Sequence, residues 1–280
     1  MYIKKDMELK LEKGRAKIAK ALKDNNNFTL MSTGITGDDA RLAKAVTDAG
    51  VKILEPNHPA LALARGYKGV TEMGEAEKLR HEITIAQMAE VTRGVRSVVP
   101  DDVFITVGFP GSFTELMPVI VTDEDFRTIS LAGADSIHTH KSDLMDIEEW
   151  VKTAHRFGLN VDAYIGKSTD LHQFGVPADS PEEVAKVAKR LEEIGVDFIG
   201  LMTGMSYEGV AAGEIPNEIK ERLQALVETV KVPTLAEGGI NLENFSAFKS
   251  TGVNIVTVGT AMDDMARMAV AEAARKFMSI

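Results

Sequence analysis

Hydrophobic and polar positions along the chain sort into eight short apolar runs of strand length, each separated from the next by a stretch with helical spacing or strong helix formers. The runs are Phe28 to Gly34 (FTLMSTG), Val51 to Glu55 (VKILE), Val103 to Gly108 (VFITVG), Asp135 to His140 (DSIHTH), Asn160 to Gly166 (NVDAYIG), Asp197 to Gly204 (DFIGLMTG), Pro233 to Gly238 (PTLAEG) and Asn254 to Gly259 (NIVTVG). Strands alternating with helices predict a parallel sheet, and eight units predict that it closes. The expected fold is therefore α/β, a (β/α)8 TIM barrel over residues 28–280, with residues 1–27 as an N-terminal helical extension that caps the barrel bottom or serves an oligomer contact. The rival architecture, an open doubly wound sheet, carries about five or six strands and a Gly-rich turn after the first. Here the first turn is STGITGDDA, without the GxGxxG spacing.

A weak internal repeat supports the barrel. Five runs follow a helix end, a glycine and a small or apolar residue (DAGVKI, LAGADSI, RFGLNV, EIGVDFI, STGVNI), which makes Gly50, Gly133, Gly158, Gly195 and Gly252 helix-terminating turns with no chemical role. The stretch from Gly108 to Asp125, GFPGSFTELMPVIVTDED, is a long loop after the third strand and a candidate lid.

Composition narrows the function. At 280 residues, 44% hydrophobic and 26% charged, the chain is sized for one large domain. It has no cysteine, which excludes disulfides, thiolate metal sites and a cysteine nucleophile. The first 22 residues alternate charge with apolar positions and read as an amphipathic helix, not a signal peptide, so a cytoplasmic protein with no membrane partner is expected. A net charge of −10 argues against nucleic acid. A small anion stays allowed, because backbone N–H groups suffice to hold it.

In such barrels the strand ends and following loops build the site. Standing there are Ser32 and Thr33; Glu55, Asn57 and His58; His138, His140, Lys141 and Asp143; Asp162, Lys167 and Asp170; Thr203, Ser206 and Glu208; Glu237; and Thr260. AEGGI and VGTAM, at the ends of the seventh and eighth runs, supply Gly238, Gly239, Gly259 and Thr260 as a phosphate-binding set: glycines let backbone approach an anion, and the helix N-terminus that follows favours it. In HTHKSD, alternation puts His138 and His140 on one face, where with Glu55 or Glu237 they form a candidate divalent-cation site. Lys141 and Lys167 each follow a strand and are candidates for a Schiff base or for polarising a carbonyl. Glu55, Asp162 and Glu237 are carboxylates at a barrel mouth, where desolvation is costly, and form the acid/base or metal-binding set.

From Gly195 to Met262 the chain resembles the 3-hexulose-6-phosphate synthase and 3-keto-gulonate-6-phosphate decarboxylase group of the ribulose-phosphate-binding barrels, most particularly in Thr203, Gly204, Ala211, Ala212, Gly213 and Pro216. Glu55 in ILEPNHPAL and Asp162 in VDAYIG match that group's strand-two glutamate and strand-five aspartate. The resemblance implies a magnesium ion, with Glu55 as a ligand, and an enediolate intermediate. TVGFPGSF replaces the group's DxKxxD pattern on strand three, and Met202 and Ser206 stand for its strand-six histidine and aspartate. The seventh run is also similar to that of N-acetylmannosamine-6-phosphate 2-epimerases, whose glutamate takes part in proton transfer, a role Glu237 fits.

The expectation is an enzyme acting on a small phosphorylated sugar or sugar acid through an enolate or enediolate, as an aldolase or lyase before an epimerase. Glu55 with His138 or His140 would bind magnesium or another divalent cation, Lys141 would stabilise the oxyanion, and Glu237 or Asp162 would shuttle the proton. A Schiff-base aldolase using Lys141 or Lys167, and a non-catalytic barrel that senses a phosphorylated metabolite, are the alternatives. A homodimer or higher homo-oligomer is expected.

Overall fold

A computed structural model describes residues 2–113, 119–169, 174–204, 211 and 213–280, with only the backbone of residues 2–4, 35 and 36. Among the described residues there are nine parallel strands: β1 (Thr29–Ser32), β2 (Ile53–Leu54), β3 (Phe104–Gly108), β4 (Ser136–Thr139), β5 (Asn160–Gly166), β6 (Val176–Pro177), β7 (Phe198–Met202), β8 (Thr234–Glu237) and β9 (Ile255–Val258). Eight of them close into a ring in the order β1, β2, β3, β4, β5, β7, β8, β9, with β9 pairing back onto β1. Each predicted run thus contains one barrel strand, and the fold is a (β/α)8 TIM barrel. β6 was not expected; it is a two-residue strand hung on the end of β5 outside the ring. The five repeat glycines all take positive φ, as a chain leaving a helix for a strand requires.

Period-two alternation divides the strands between two apolar regions. Outward residues such as Ile105, Val107, Ile137, Val161 and Val256 are buried under the helices. Inward residues Met31, Ile53, Phe104, Phe198, Leu235 and Ile255 fill the lower barrel, with the Phe104 and Phe198 rings edge to face at 5.5 Å. Above them Tyr164 on β5 lies across the interior. It has room because its registered neighbour on β7 is Gly200, where a Cβ would fall 2.2 Å from the Tyr164 ring.

The N-terminal helix, Tyr2–Asp24, packs Ile18 and Leu22 against the lower interior residues. Polar contacts fix it to the barrel's lower rim. Lys17 Nζ lies 2.7 and 2.9 Å from the Asp135 carboxylate, which also accepts from Arg96 at 2.7 Å and from the Ile105 N–H at 3.0 Å. Arg15 donates to Asp197 at 2.8 Å, and His155 meets the other oxygen of Asp197 at 2.8 Å. No described helix is long and apolar enough to cross a membrane.

Two expectations follow from this packing. Asp135→Asn leaves Lys17 and Arg96 half-buried without their counter-charge and should lower urea-unfolding stability by about 3 kcal/mol, more than Lys17→Met, which leaves Asp135 its Arg96 partner; equal effects would mean the rim is held by apolar packing alone. Gly200→Ala forces a methyl into the Tyr164 ring and should cost roughly 2 kcal/mol or more, most of it recovered in Gly200→Ala/Tyr164→Leu if the clash is the cause.

Candidate functional site

The upper strand ends open into a cavity of about 1020 Å³. Its walls come from the ends of all eight barrel strands and the loops after them, together with Met73, Gly74 and Glu77 of the long excursion between β2 and β3. Residues 170–173 and 205–210 lie outside the described part of the chain, so Asp170, Ser206 and Glu208 are not placed.

At the cavity floor the β4 alternation turns His138 and His140 to the same side. Their Nε2 atoms are 3.1 Å apart. His138 Nδ1 donates to Asp162 Oδ2 at 2.6 Å, across the β4–β5 register. Asp162 is itself held by hydroxyl donors, Thr106 Oγ1 at 2.6 Å and Ser136 Oγ at 3.2 Å. From the opposite side Glu237, the last residue of β8, brings Oε2 to 3.6 Å from His138 Nε2 and Oε1 to 4.0 Å from His140 Nε2. Glu55 Oε1 stands 3.8 Å from His138 Nε2 and accepts from Asn57 Nδ2 at 2.8 Å. One donor atom from each of His138, His140 and Glu237 falls within 4.8 Å of the others.

This concentration of charge under little water decides the protonation states. Burial alone would lower His138, but the carboxylates of Glu55, Asp162 and Glu237 outweigh it and push its imidazole up to about 10. Burial raises Glu55 and Glu237 against the pull of His138. His140 is driven well below its ordinary value by burial and by His138 beside it, and stays neutral. The Tyr164 ring lies 4.7 and 4.9 Å from the two imidazoles, and Phe113 and Phe174 close over His140 at 5.4 and 5.3 Å. His58 donates from Nδ1 to the Gly108 carbonyl at 3.1 Å; burial brings it down to about 3.

Directly beyond Glu237 the chain turns through Gly238 and Gly239, both with positive φ. A Cβ on Gly238 would fall 2.1 Å from the Gly204 carbonyl oxygen. Thr203 Oγ1 donates to the carbonyls of Glu237 and Gly238 at 2.9 and 2.8 Å, and Asn244 Nδ2 to that of Gly239 at 2.9 Å, which fixes the turn. Gly259 packs against Thr33 and precedes the 19-residue helix Thr260–Met278. Gly238, Gly239, Gly259 and Thr260 all border the cavity, on the same side as Glu237.

The sequence-derived candidates therefore separate. Glu55, His138, Asp162, His140 and Glu237 come together, although only His138, His140 and Glu237 face the cavity. Of the two carboxylates expected beside the histidines, Glu55 and Glu237, the three-donor cluster includes Glu237. Lys141 is on the outward face of its strand end, 4.6 Å above the Trp150 ring and 3.4 Å from Asp146. That position corrects the expected oxyanion role, because alternation that turns His140 inward turns the next residue out. Lys167 pairs with Glu218 on the helix Asn217–Thr229 and is likewise off the cavity. Asp143 caps the helix Leu144–Arg156 through the Met145 and Asp146 N–H groups. Within the candidate lid, the described part folds down: Phe109 stacks on Phe126 at 4.9 Å and Phe113 covers His140; residues 114–118 lie outside the described part.

Among the titratable groups bordering the cavity that the sequence reading missed, Glu77 has a raised carboxyl. Glu77, in the β2–β3 excursion, borders the cavity with Oε2 in no hydrogen bond and 3.6 Å from Arg80, whose guanidinium lies 3.9 Å above the Phe113 ring. Burial pushes its carboxyl up to about 7, Arg80 opposing and Glu237 adding to the rise. A lone glutamate in a polar, weakly periodic stretch gives no signal that its segment folds back over a barrel mouth.

Comparison with known proteins fits this geometry. The chain is 26% identical over 197 residues to a 4-hydroxy-2-oxovalerate aldolase of Moorella thermoacetica, covering 69% of this chain and 48% of that one, so it spans about half the length of that relative. It is 25% identical over 187 residues to a 3-hexulose-6-phosphate synthase of Staphylococcus saprophyticus, covering 62% of this chain and 83% of that one. The fold matches the crystal structure of 2,3-dimethylmalate lyase, a PEP mutase/isocitrate lyase superfamily member, with a TM-score of 0.62 at 16% identity, over 95% of this chain and 88% of that one. Residues 95–265, from the end of the helix before β3 to the first turns of the last helix, match the model of the histidine biosynthesis protein family. The chain belongs to that family, within the ribulose-phosphate-binding TIM barrels.

Proposed function

We propose that the protein is a lyase that cleaves a carbon–carbon bond in a small phosphorylated sugar or sugar acid through an enediolate. The observation that carries this is the arrangement of one cavity: an anion-accepting glycine turn and helix N-terminus at one side, and directly joined to it through Glu237 a charged imidazole–carboxylate cluster. A phosphate on Gly238, Gly239, Gly259 and Thr260 anchors the substrate. The substrate carbonyl then lies toward His138 and His140, where negative charge developing on its oxygen as the adjacent bond breaks is stabilised. Among the described residues no lysine borders the cavity, which disfavours the Schiff-base route.

Glu77 is the group placed to move the proton. In the cleavage direction its carboxylate takes the proton of the hydroxyl next to the scissile bond; the C–C bonding pair flows to the carbonyl, and reprotonation of the enediolate carbon completes the reaction. Asp162 and Glu55 do not face the cavity; Asp162 orients His138, and Glu55 sets its charge.

The reading is tested by a thermal-shift screen of pentose, hexose and sugar-acid phosphates, followed by NMR of each hit in D2O. The expected result is deuterium entering a carbon position beside the carbonyl, together with cleavage products. Exchange without cleavage would make the protein an epimerase or isomerase; tight binding without either would make it a phosphometabolite sensor. Gly238→Ala, which drives a methyl onto the Gly204 carbonyl, should raise KM at least about tenfold, roughly 1.4 kcal/mol, with less effect for the dephosphorylated compound.

The pH dependence has a definite sign. A base works deprotonated, so kcat/KM should rise with pH through about 7, the value to which burial lifts Glu77, instead of near 4.5. Glu77→Gln should remove that limb and lower kcat by about 10² or more. An unchanged acidic limb in this variant would assign the proton to another group.

A further inference from the structure

The resemblance to magnesium-dependent barrels raises the question of which ion, if any, these residues accept. Magnesium demands near-octahedral oxygen coordination and keeps much of its water. The donors that converge here are two imidazole nitrogens and one carboxylate, a set suited to zinc, manganese, iron or cobalt. The residues present do not fit a magnesium site.

We infer that His138, His140 and Glu237 form a binding site for a single divalent transition-metal ion. The geometry supports this in three ways. With metal–nitrogen bonds of about 2.05 Å, two Nε2 atoms separated by 3.1 Å subtend roughly 98° at a shared ion, between the tetrahedral and octahedral values. Glu237 brings Oε2 to 3.6 Å from His138 Nε2 and Oε1 to 4.0 Å from His140 Nε2, and one donor atom from each of the three residues falls within 4.8 Å of the others, so side-chain adjustment alone can bring all three onto one ion. Glu237 Oε2 is buried and in no hydrogen bond.

The surroundings are those of a metal-ligating histidine. The Asp162 carboxylate at 2.6 Å takes the Nδ1 hydrogen of His138, which leaves Nε2 with its lone pair toward the cluster once the extra proton is displaced. Thr106 and Ser136 in turn fix Asp162. Asp162 is thus a positioning residue for the metal. Three ligands facing an open cavity leave further coordination positions for water or substrate oxygen, the pattern of a catalytic and not a structural ion. The inference does not depend on the phosphosugar reading, since it concerns binding of the ion alone.

Its test uses the full-length, tag-free protein stripped with chelator and titrated in turn with Zn2+, Mn2+, Co2+ and Mg2+, following stoichiometry by mass spectrometry of the metal, Tm, and the visible spectrum of the Co2+ form. One equivalent of a transition ion should bind and raise Tm, Co2+ should give ligand-field bands, and Mg2+ at the same concentration should do neither. His140→Ala and Glu237→Gln should each weaken binding at least about a hundredfold, and Asp162→Asn about 10- to 100-fold. His155→Ala, at the barrel's lower rim, should leave it unchanged. Circular dichroism of the metal-free variants separates lost ligation from lost folding, and Glu237→Asp, which keeps the donor on a shorter arm, should retain measurable binding. Absence of stoichiometric binding, tighter binding of Mg2+ than of the others, or binding that survives both His140→Ala and Glu237→Gln would each overturn the inference.

Discussion

One buried imidazole governs the upper barrel. His138 is 2% exposed and has carboxylates on three sides, from β2, β5 and β8. An ion removed from water is tolerated only when its partners are close and their remaining hydrogen-bonding capacity is met. That condition reaches outward through the structure. It accounts for Thr106 and Ser136 on Asp162, for Asn57 on Glu55, and for a glycine at position 108, where a Cβ would lie 3.1 Å from Glu55 Oε1. The strand that in the resembling group carries catalytic side chains here carries a hydroxyl and an empty space, both of which serve the cluster on its neighbours.

The same constraint ties the site to the fold beneath it. Tyr164 forms the floor under both imidazoles and exists in that place because Gly200 does. Below it the interior is mostly apolar down to the N-terminal helix, whose Ile18 and Leu22 complete the packing, whose Leu11 carbonyl accepts from the buried Asn160, and whose Lys17 and Arg15 anchor to Asp135 and Asp197 at the starts of β4 and β7. The barrel is thus divided along its axis into a charged mouth, an aromatic floor and a mostly apolar base, and strand β4 links all three because Asp135 fixes its lower end while His138 and His140 stand at its upper one.

The barrel was legible because eight apolar runs with five repeating glycines admit few other closures, and the inward residues followed from alternation once the strands were known. Alternation also made His138 and His140 a pair. The same parity puts Lys141 outside, over Trp150, although it follows the strand end directly. Glu77 and Tyr164 were illegible for different physical reasons. Tyr164 sits in an apolar run that explains it as core, and only the partnering glycine two strands of sequence away marks its special role. Glu77 depends on how a 25-residue excursion, roughly the span from His58 to Glu82, folds over the mouth, a matter of loop packing against Phe113 through Arg80 that leaves no period in the sequence.

Charge bookkeeping gives the cluster its functional direction. Three carboxylates share one imidazole in a buried place; burial raises Glu55 to about 8, and the carboxylates hold a proton on His138 up to about 10. Such a site has a strong standing attraction for positive charge. Protons on Glu55 and His138 satisfy that attraction, and a cation bearing two charges would satisfy it as well. An anionic group is best held away from these carboxylates, on neutral backbone dipoles. The separation of Gly238, Gly239, Gly259 and Thr260 from the histidines, with Glu237 at the junction, is the arrangement that lets one small cavity hold a phosphorylated molecule and still present positive charge to the oxygen at its other end.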